Sequence, residues 1–593
     1  MAAMTKDPQP YRVRYWGVRH AASAGHYLAA QAAFQVLESG GNAIDAGVAG
    51  GIALGVVESL MVGFAGVAPI LIYLADKNEV VSVSGVGPHP RLATCDYFRK
   101  HHNGLMDGIM QTVVPGAPDA WFTCLERFGT MSFAEVVAAS IRYARDGFVM
   151  YPLMAENIQN RVALFSQDAP TAAIYLPGGR PPAVGEIFYQ KDLAKTLQFL
   201  ADEETAGAKK GGRAAGLAAA RRAFYQGDIA TAIERHQKEK GGLLRVEDMA
   251  GFRAEVEPPC HVRFGATDVY SVGPWGQGPG MLEALNILSG FDLKALGHNS
   301  VPYIHAVIEA IKLAMADREV YFGDPKFVDV PIDALLSAAH ADARRKMIRP
   351  DQAWAEMPPA GKVPGGKWPS PTSATAGSVA RAPAGGVDVF ANDTSYVCVI
   401  DRHGNTFSGT PSDGNGGAPI VPGMGISPST RGKGSRTDPK HTAHVAPGRR
   451  PRMTNGPVLA LGGKRWILPL GTPGSDNQLQ ANLQVLLNVF VFGMDPQDAV
   501  EAPRFNTHSF PQTLIANPPH DYQPGSLWLE SRIARESGEA LARMGHKVGW
   551  WPAWGPDAGH MDVATVCTIL ADREKGVLKA AHDPRRVSGA VAV

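Results

Sequence analysis

Apolar and polar positions follow several distinct periods along the chain. From Ala21 to Leu37 small and apolar residues recur at helical spacing, and Gly40-Gly41-Asn42 ends the run. Ala43 to Glu58 is apolar at nearly every position, the mark of a buried helix. Val67 to Leu74 reads as a buried strand. Phe133, Val136, Val137, Ile141 and Ala144 predict an amphipathic helix over 133–147. The clearest helical repeat is 301–321, where Tyr303, Ile304, Val307, Ile308, Ile311, Ala314 and Met315 recur at i, i+3, i+4, i+7. Ala201 to Arg222 carries Asp202-Glu203-Glu204, Lys209-Lys210 and a Gly/Ala run, and is expected to be a solvated insertion.

Between about Pro350 and Val387 the composition shifts to Pro, Gly, Ser and Ala, which predicts a long loop without its own core. It ends abruptly at Asp393-Thr394. Thr394 to Ile400 has strong strand propensity. Asp401 to Asn405 is a turn signal, and Thr406 to Thr410 can return as the partner strand. Further on, Ile467 to Gly474 reads as a strand running into a Gly/Pro turn, and Gln478 to Phe492 as an apolar helix.

The chain has 593 residues, 45% of them hydrophobic and 19% charged, which excludes a disordered polymer. Lys plus Arg number 57 against 56 for Asp plus Glu, so no global field favours nucleic acid or an anionic membrane as a partner. The longest apolar stretch, Ala46 to Ala75, is broken by Glu58 and Pro69 into pieces too short to span a bilayer. No apolar export segment follows the basic residues near the N-terminus, so the cytoplasm is the expected compartment. The five cysteines are widely spaced and include no CxxC pair, which argues against a disulfide framework or a zinc knuckle.

Phosphate-loop, HExxH and GxSxG patterns are missing. His441 and His444 read as a loop pair rather than a metal site, and the Gly276 to Gly280 turn does not read as a dinucleotide fingerprint. Thr394 is the informative residue. A hydroxyl is a weak nucleophile without an adjacent base. Its own α-amine, with a reference pKa of about 7.7–8.0, can serve if the chain is cut before it. A long loop running into a threonine that opens a strand is the layout such a cut needs, although most threonines at strand starts are structural.

Asp393-Thr394-Ser395-Tyr396, Val399-Ile400-Asp401 and Gly404-Asn405 resemble the nucleophile strand of the γ-glutamyltransferase family. Gly40 to Ala46, Val114-Pro115-Gly116, Ala144 to Phe148, Gly290 to Leu293, Leu296 to Ser300, Ala316-Asp317-Arg318, Gly323-Asp324-Pro325, Gly471 to Gly474, Ala502 to Phe505 and Asp583 to Arg586 match further motifs in family order. The resemblance covers nearly the whole chain. It implies an α+β fold, the four-layer αββα sandwich of N-terminal-nucleophile hydrolases. It implies self-cleavage into a large fragment, 1–393, with a flexible loop at about 350–393, and a small fragment, 394–593. These would form a heterodimer, with a dimer of heterodimers left open. Thr394 would attack an amide or related acyl carbon of a small molecule. Ser412 falls at the family's second threonine, which orients the nucleophile, and Gly474 in the oxyanion turn, where Ser475 replaces a second glycine. No metal or organic cofactor is expected.

The substrate residues do not carry over. The family's arginine for the glutamyl α-carboxylate is replaced within Val86-Gly87-Pro88-His89-Pro90, with Arg91 nearby but out of register. Its aspartate for the α-amine is lost in Ser429-Thr430-Arg431-Gly432-Lys433-Gly434, and Pro451-Arg452 replaces a serine pair. Arg431, Lys433 and Arg452 would instead favour an anionic acyl group, unless they face solvent. An acylase with a remodelled pocket is the leading expectation. A true γ-glutamyltransferase, a biosynthetic homologue that cleaves C–C bonds, and an inactive binding homologue are the alternatives.

Overall fold

The computed structural model describes residues 11–365, 378–380, 393–515, 517, 520–551 and 564–593. Two seven-stranded sheets dominate. In one, the strands run in the order Tyr15–Gly17, Val577–His582, Cys567–Asp572, Trp466–Gly471, Val458–Leu461, Thr267–Ser271, Cys260–Phe264. In the other the order is Gly589–Ala592, Ala21–Ala24, Val397–Ile400, Thr406–Gly409, Ile70–Leu74, Glu79–Val83, Val256–Glu257. All the pairings within these sheets are antiparallel.

Strand alternation places the layers. Tyr396, Cys398 and Ile400 point one way from their strand and pack with Leu459, Ile467, Cys567 and Ile569 of the other sheet. Val397 and Val399 point the other way, into a core with the helices Tyr27–Glu38, Ala43–Val57 and Phe133–Asp146. The second sheet turns Val458, Ala460, Leu468 and Leu470 towards the helices Gly278–Leu288, Val301–Tyr321 and Asn477–Phe490. The order is helix, sheet, sheet, helix, the expected αββα sandwich.

Ala43–Val57 is buried along its whole length and starts with a capping box. Asn42 Oδ1 accepts from the N–H groups of Ile44 and Asp45, and Asp45 accepts from Asn42 N. The helix lies close on the sheet because Gly47 has no side chain; a Cβ there would sit 2.2 Å from the Phe407 ring. The Asp401–Asn405 turn is ordered by the Asp401 carboxylate. It accepts from His403 N, Asn405 N, Asn405 Nδ2 and, from the helix start, Ala43 N.

Four sequence readings are corrected. Ala21–Ala24 is a buried strand, not the start of a helix, because pairing with Val397–Ile400 and Gly589–Ala592 overrides alanine's helical preference. Helix only begins at Tyr27. The stretch 201–222 is not a solvated insertion. It lies in the helix Lys191–Tyr225, bent at Gly211 and Gly212, with Leu217, Ala220 and the Arg221–Asp119 ion pair buried. The Gly276 to Gly280 turn does join a strand to a helix, but that strand is antiparallel to both neighbours, so no βαβ unit forms. The expected loop from 350 is anchored over its first part: Glu309 accepts from Trp354 N, and Tyr321 donates to Gly361 O. Most of the rest of that loop lies outside the described residues, apart from Ser378–Ala380, which pairs with His520–Tyr522. Among the described residues no helix is long and apolar enough to cross a membrane.

Both sheets interleave strands from before and after residue 393, and Val397–Ile400 hydrogen-bonds to Ala21–Ala24 on one side and Thr406–Gly409 on the other. A chain cut between Asp393 and Thr394 is therefore expected to stay one particle. Size exclusion should give a single peak containing both fragments; their separation without denaturant would contradict the shared sheets.

Candidate active site

Thr394 lies three residues before Val397–Ile400, the third of the seven strands of its sheet, and is fully buried. Its neighbours fix it from both sides. Ser395 N donates to Pro411 O, and Gly25 N donates to Tyr396 O. Ser412 is held opposite by its own N–H, which donates to Val67 O. The result is a hydroxyl pair, Thr394 Oγ1 and Ser412 Oγ, 2.7 Å apart. Ser412 Oγ also donates to the carbonyl oxygen of Asp393 at 2.7 Å. Thr394 Oγ1 contacts the same oxygen.

Arg431 reaches this point from a short 3₁₀ turn, Arg431–Gly434, and is fully buried. Its Nη2 donates to Asp393 Oδ1 at 2.8 Å, to Asp393 O at 3.1 Å and to Ser412 Oγ. Lys433 Nζ is 3.8 Å from Asp393 Oδ2. Arg431 is shut off from solvent, and Lys433 is partly exposed. Asp413 supports the arrangement. It adopts a positive φ of 72°, which aspartate tolerates better than most residues. Its carboxylate accepts from Ser429 Oγ, Thr430 N and Thr430 Oγ1, and lies 4.0 Å from Arg431 Nε. Residues 412–413 and 429–431 are thereby joined through one anion.

Arg452 does not join the group around Asp393. It is buried in a separate charge cluster, where its Nη2 donates to Glu319 Oε2 at 2.7 Å. His441 and Arg318 contact Glu319 as well. Burial opposes ionisation of Glu319, but Arg452, His441 and Arg318 together hold its carboxyl well below the usual carboxylate range. His441 is thus a loop histidine with an acidic partner. Gly474 has a φ of 124° and Ser475 a φ of 50°, so the serine occupies a left-handed conformation that glycine would adopt more readily. Gln277 Nε2 ties this turn to its surroundings by donating to Ser475 O and Thr454 O.

The Val86 to Pro90 stretch supplies no cation. His89 is buried against Ser435, and burial with nearby Arg449 pushes its pKa down to about 3, so it is neutral at physiological pH. Arg91 turns away to Asp248 and Glu247. Sequence reasoning missed three groups around the threonine: Asp393 and Asp413 as partners of Arg431, and Glu58. Burial pushes the Glu58 carboxyl up despite a hydrogen bond with Ser395. The polar neighbours Ser412-Asp413-Gly414 were a usable signal for Asp413; Glu58 closes an apolar helix and carried none. Two groups able to ligate a metal, His305/Glu309/His546 and Glu283/Asp317/His340, lie elsewhere. Each already has protein cations as partners, Lys312 on Glu309 and Arg344 on Asp317.

A buried threonine, a second hydroxyl 2.7 Å from it and a carbonyl beside both thus lie within an αββα sandwich. The comparisons give the family. Residues 29–593 match the gamma-glutamyltranspeptidase family model, and the chain belongs to that family of amidohydrolases. It is 32% identical to the acylase ACY 1 proenzyme of Pseudomonas sp. (strain V22), over 90% of this chain and 88% of that one. It is 28% identical to the glutathione hydrolase-like YwrD proenzyme of Bacillus subtilis (strain 168), over 97% of this chain and 99% of that one. Among solved structures, "Structure of LmbA2991HD" is 34% identical with a TM-score of 0.89, covering 98% of this chain and all of the other. These relatives make the chain a hydrolase of proenzyme type.

Glu319 gives a stability test. Its pKa is depressed on folding, so its contribution is complete above the unfolded value of about 4.3 and is lost as pH falls through the lower folded value. Glu319→Gln strands Arg452 and should cost roughly 3–5 kcal/mol at neutral pH. Denaturant titrations at several pH values should show this gap narrowing only at strongly acidic pH. A gap that stays constant down to the acid transition would refute the assignment.

Proposed function

We propose that this chain is a self-processing N-terminal threonine amide hydrolase or acyltransferase whose pocket takes an anionic acyl group lacking an α-ammonium. The observation that carries the reading is the hydroxyl pair of Thr394 and Ser412 beside the buried Arg431. Cleavage between Asp393 and Thr394 yields 1–393 and 394–593, which remain together as a heterodimer. The freed amine of Thr394 then accepts the proton of its own hydroxyl as Oγ1 attacks the acyl carbon. Ser412 orients the nucleophile. The N–H groups of Gly474 and Ser475 receive the developing oxyanion. Water or an amine releases the acyl group.

The acyl preference follows from charge. The loop that holds an aspartate in γ-glutamyl enzymes here presents Arg431 and Lys433, and an ammonium placed beside them is repelled. An acylase proenzyme among the relatives fits this reading, while other relatives are named glutathione hydrolases.

Intact-mass analysis should find a fragment beginning at Thr394, and Thr394→Ala should persist as one chain. A catalytically active uncut chain would defeat the proposal. On mature enzyme, losing both charge-assisted contacts to an amino-acid headgroup, at about 1.5–3 kcal/mol each, means roughly 10² to 10⁴ lower kcat/KM. γ-Glutamyl-p-nitroanilide should therefore be turned over that much more slowly than a glutaryl or succinyl p-nitroanilide. The reverse order would return the protein to the parent activity.

A further inference from the structure

Arg431 is placed for a step that precedes substrate binding. Its Nη2 donates at 3.1 Å to the carbonyl oxygen of Asp393, the oxygen of the peptide bond that the cut would break. The same oxygen accepts from Ser412 Oγ at 2.7 Å. Two donors, one of them a cation, thus converge on the atom where negative charge must develop when Thr394 attacks. The guanidinium is steered there by the Asp393 side chain, whose Oδ1 it holds at 2.8 Å, and its Nη1 is buried without a hydrogen-bond partner. The Gly474–Ser475 turn makes no contact with this carbonyl in the hydrogen bonds of the site, so the donors for self-cleavage differ from those assigned above to the mature reaction.

We propose that Arg431 is a catalytic residue of the chain's own cleavage, donating to the scissile carbonyl of Asp393, and that it becomes available to the acyl pocket only when Asp393 leaves. This rests on the reading that the chain cuts itself before Thr394. In the step, Thr394 Oγ1 bonds to the carbonyl carbon of Asp393 and the C–N bond to Thr394 breaks. The hydroxyl proton ends on the Thr394 nitrogen, leaving an ester. Water then hydrolyses the ester to the Asp393 carboxylate and the free hydroxyl. Arg431 gains and loses no proton; it stabilises the oxyanion of each tetrahedral intermediate. The products place two carboxylates on Asp393, and departure of that residue uncovers the guanidinium.

The test is a time course of cleavage of full-length chain from cell-free translation, read on denaturing gels. Arg431→Ala should slow cleavage by about 10²-fold or more, the typical cost of one oxyanion donor. Arg431→Lys, which keeps a point charge, should recover part of the rate, and added guanidinium ion should partly rescue Arg431→Ala. Asp393→Asn keeps the carbonyl and loses only the ion pair, so it should cleave faster than Arg431→Ala. The proposal is overturned if Arg431→Ala cleaves at the wild-type rate, or if Asp393→Asn is equally slow. It is also overturned if the slow variant melts below the Thr394→Ala precursor and neither lysine nor guanidinium restores the rate, since that is a structural role. An uncut wild-type chain, or cleavage in Thr394→Ala, would instead sink the underlying reading, and the proposal with it.

Discussion

The site is organised by the need to neutralise a fully buried guanidinium. An unpaired cation at zero exposure costs several kcal/mol, so the position of Arg431 dictates where anions must be. Two carboxylates answer, Asp393 on the segment leading into the threonine and Asp413 directly after Ser412. Asp413 in turn orders Ser429 and Thr430, the residues leading into Arg431. The circle closes on itself: the cation sets the acids, and one acid sets the loop that carries the cation. The hydroxyl pair sits inside that circle and inherits its rigidity.

The scaffold makes this precision possible by close approach. Gly47 lets a helix touch Phe407 from one side of the sheet that Thr394 leads into, and Gly471 lets the opposite sheet touch Tyr396 from the other; a Cβ at Gly471 would lie 2.2 Å from that ring. Thr394 therefore leads into a segment clamped between two layers.

The elements with a sustained period were legible in the sequence. The helices at 43–57, 133–146 and 301–321 and the hairpin around Asp401–Asn405 lie where their patterns put them. What was hidden depends on partners far along the chain. Ala21–Ala24 is a strand only because strands from 397–400 and 589–592 flank it. The helix Val301–Tyr321 shows a clear apolar repeat, yet its Glu309, Lys312, Asp317 and Arg318 are buried too, each with a partner in another loop or turn of helix. In the site, Thr394, Ser412 and Arg431 came from motif positions. Arg452 was grouped with Arg431 because both are new basic residues at altered motifs, but its acid, Glu319, is 133 residues upstream and takes it elsewhere. The grip of Asp393 on Arg431 spans 38 residues and has no pattern that a list of residue types can express.

Charge balance links the uncut and cut states. Around the threonine, Arg431 and Lys433 face Asp393 and Asp413, two cations against two anions. His89, the nearest relic of the altered headgroup loop, is neutral at physiological pH and adds nothing to either side. On the proposed cleavage, departure of Asp393 would leave Arg431 and Lys433 facing Asp413 alone, in surroundings where an uncompensated charge acts over longer range than it would in water. A carboxylate on an incoming acyl group would then take the place of the Asp393 carboxylate. An α-amino acid headgroup would bring an ammonium with it, next to Arg431 and Lys433. On the proposed reading, a preference for a simple anionic acyl group would not be a separate adaptation laid over the processing machinery. It would follow from the place that Asp393 occupies in the uncut chain.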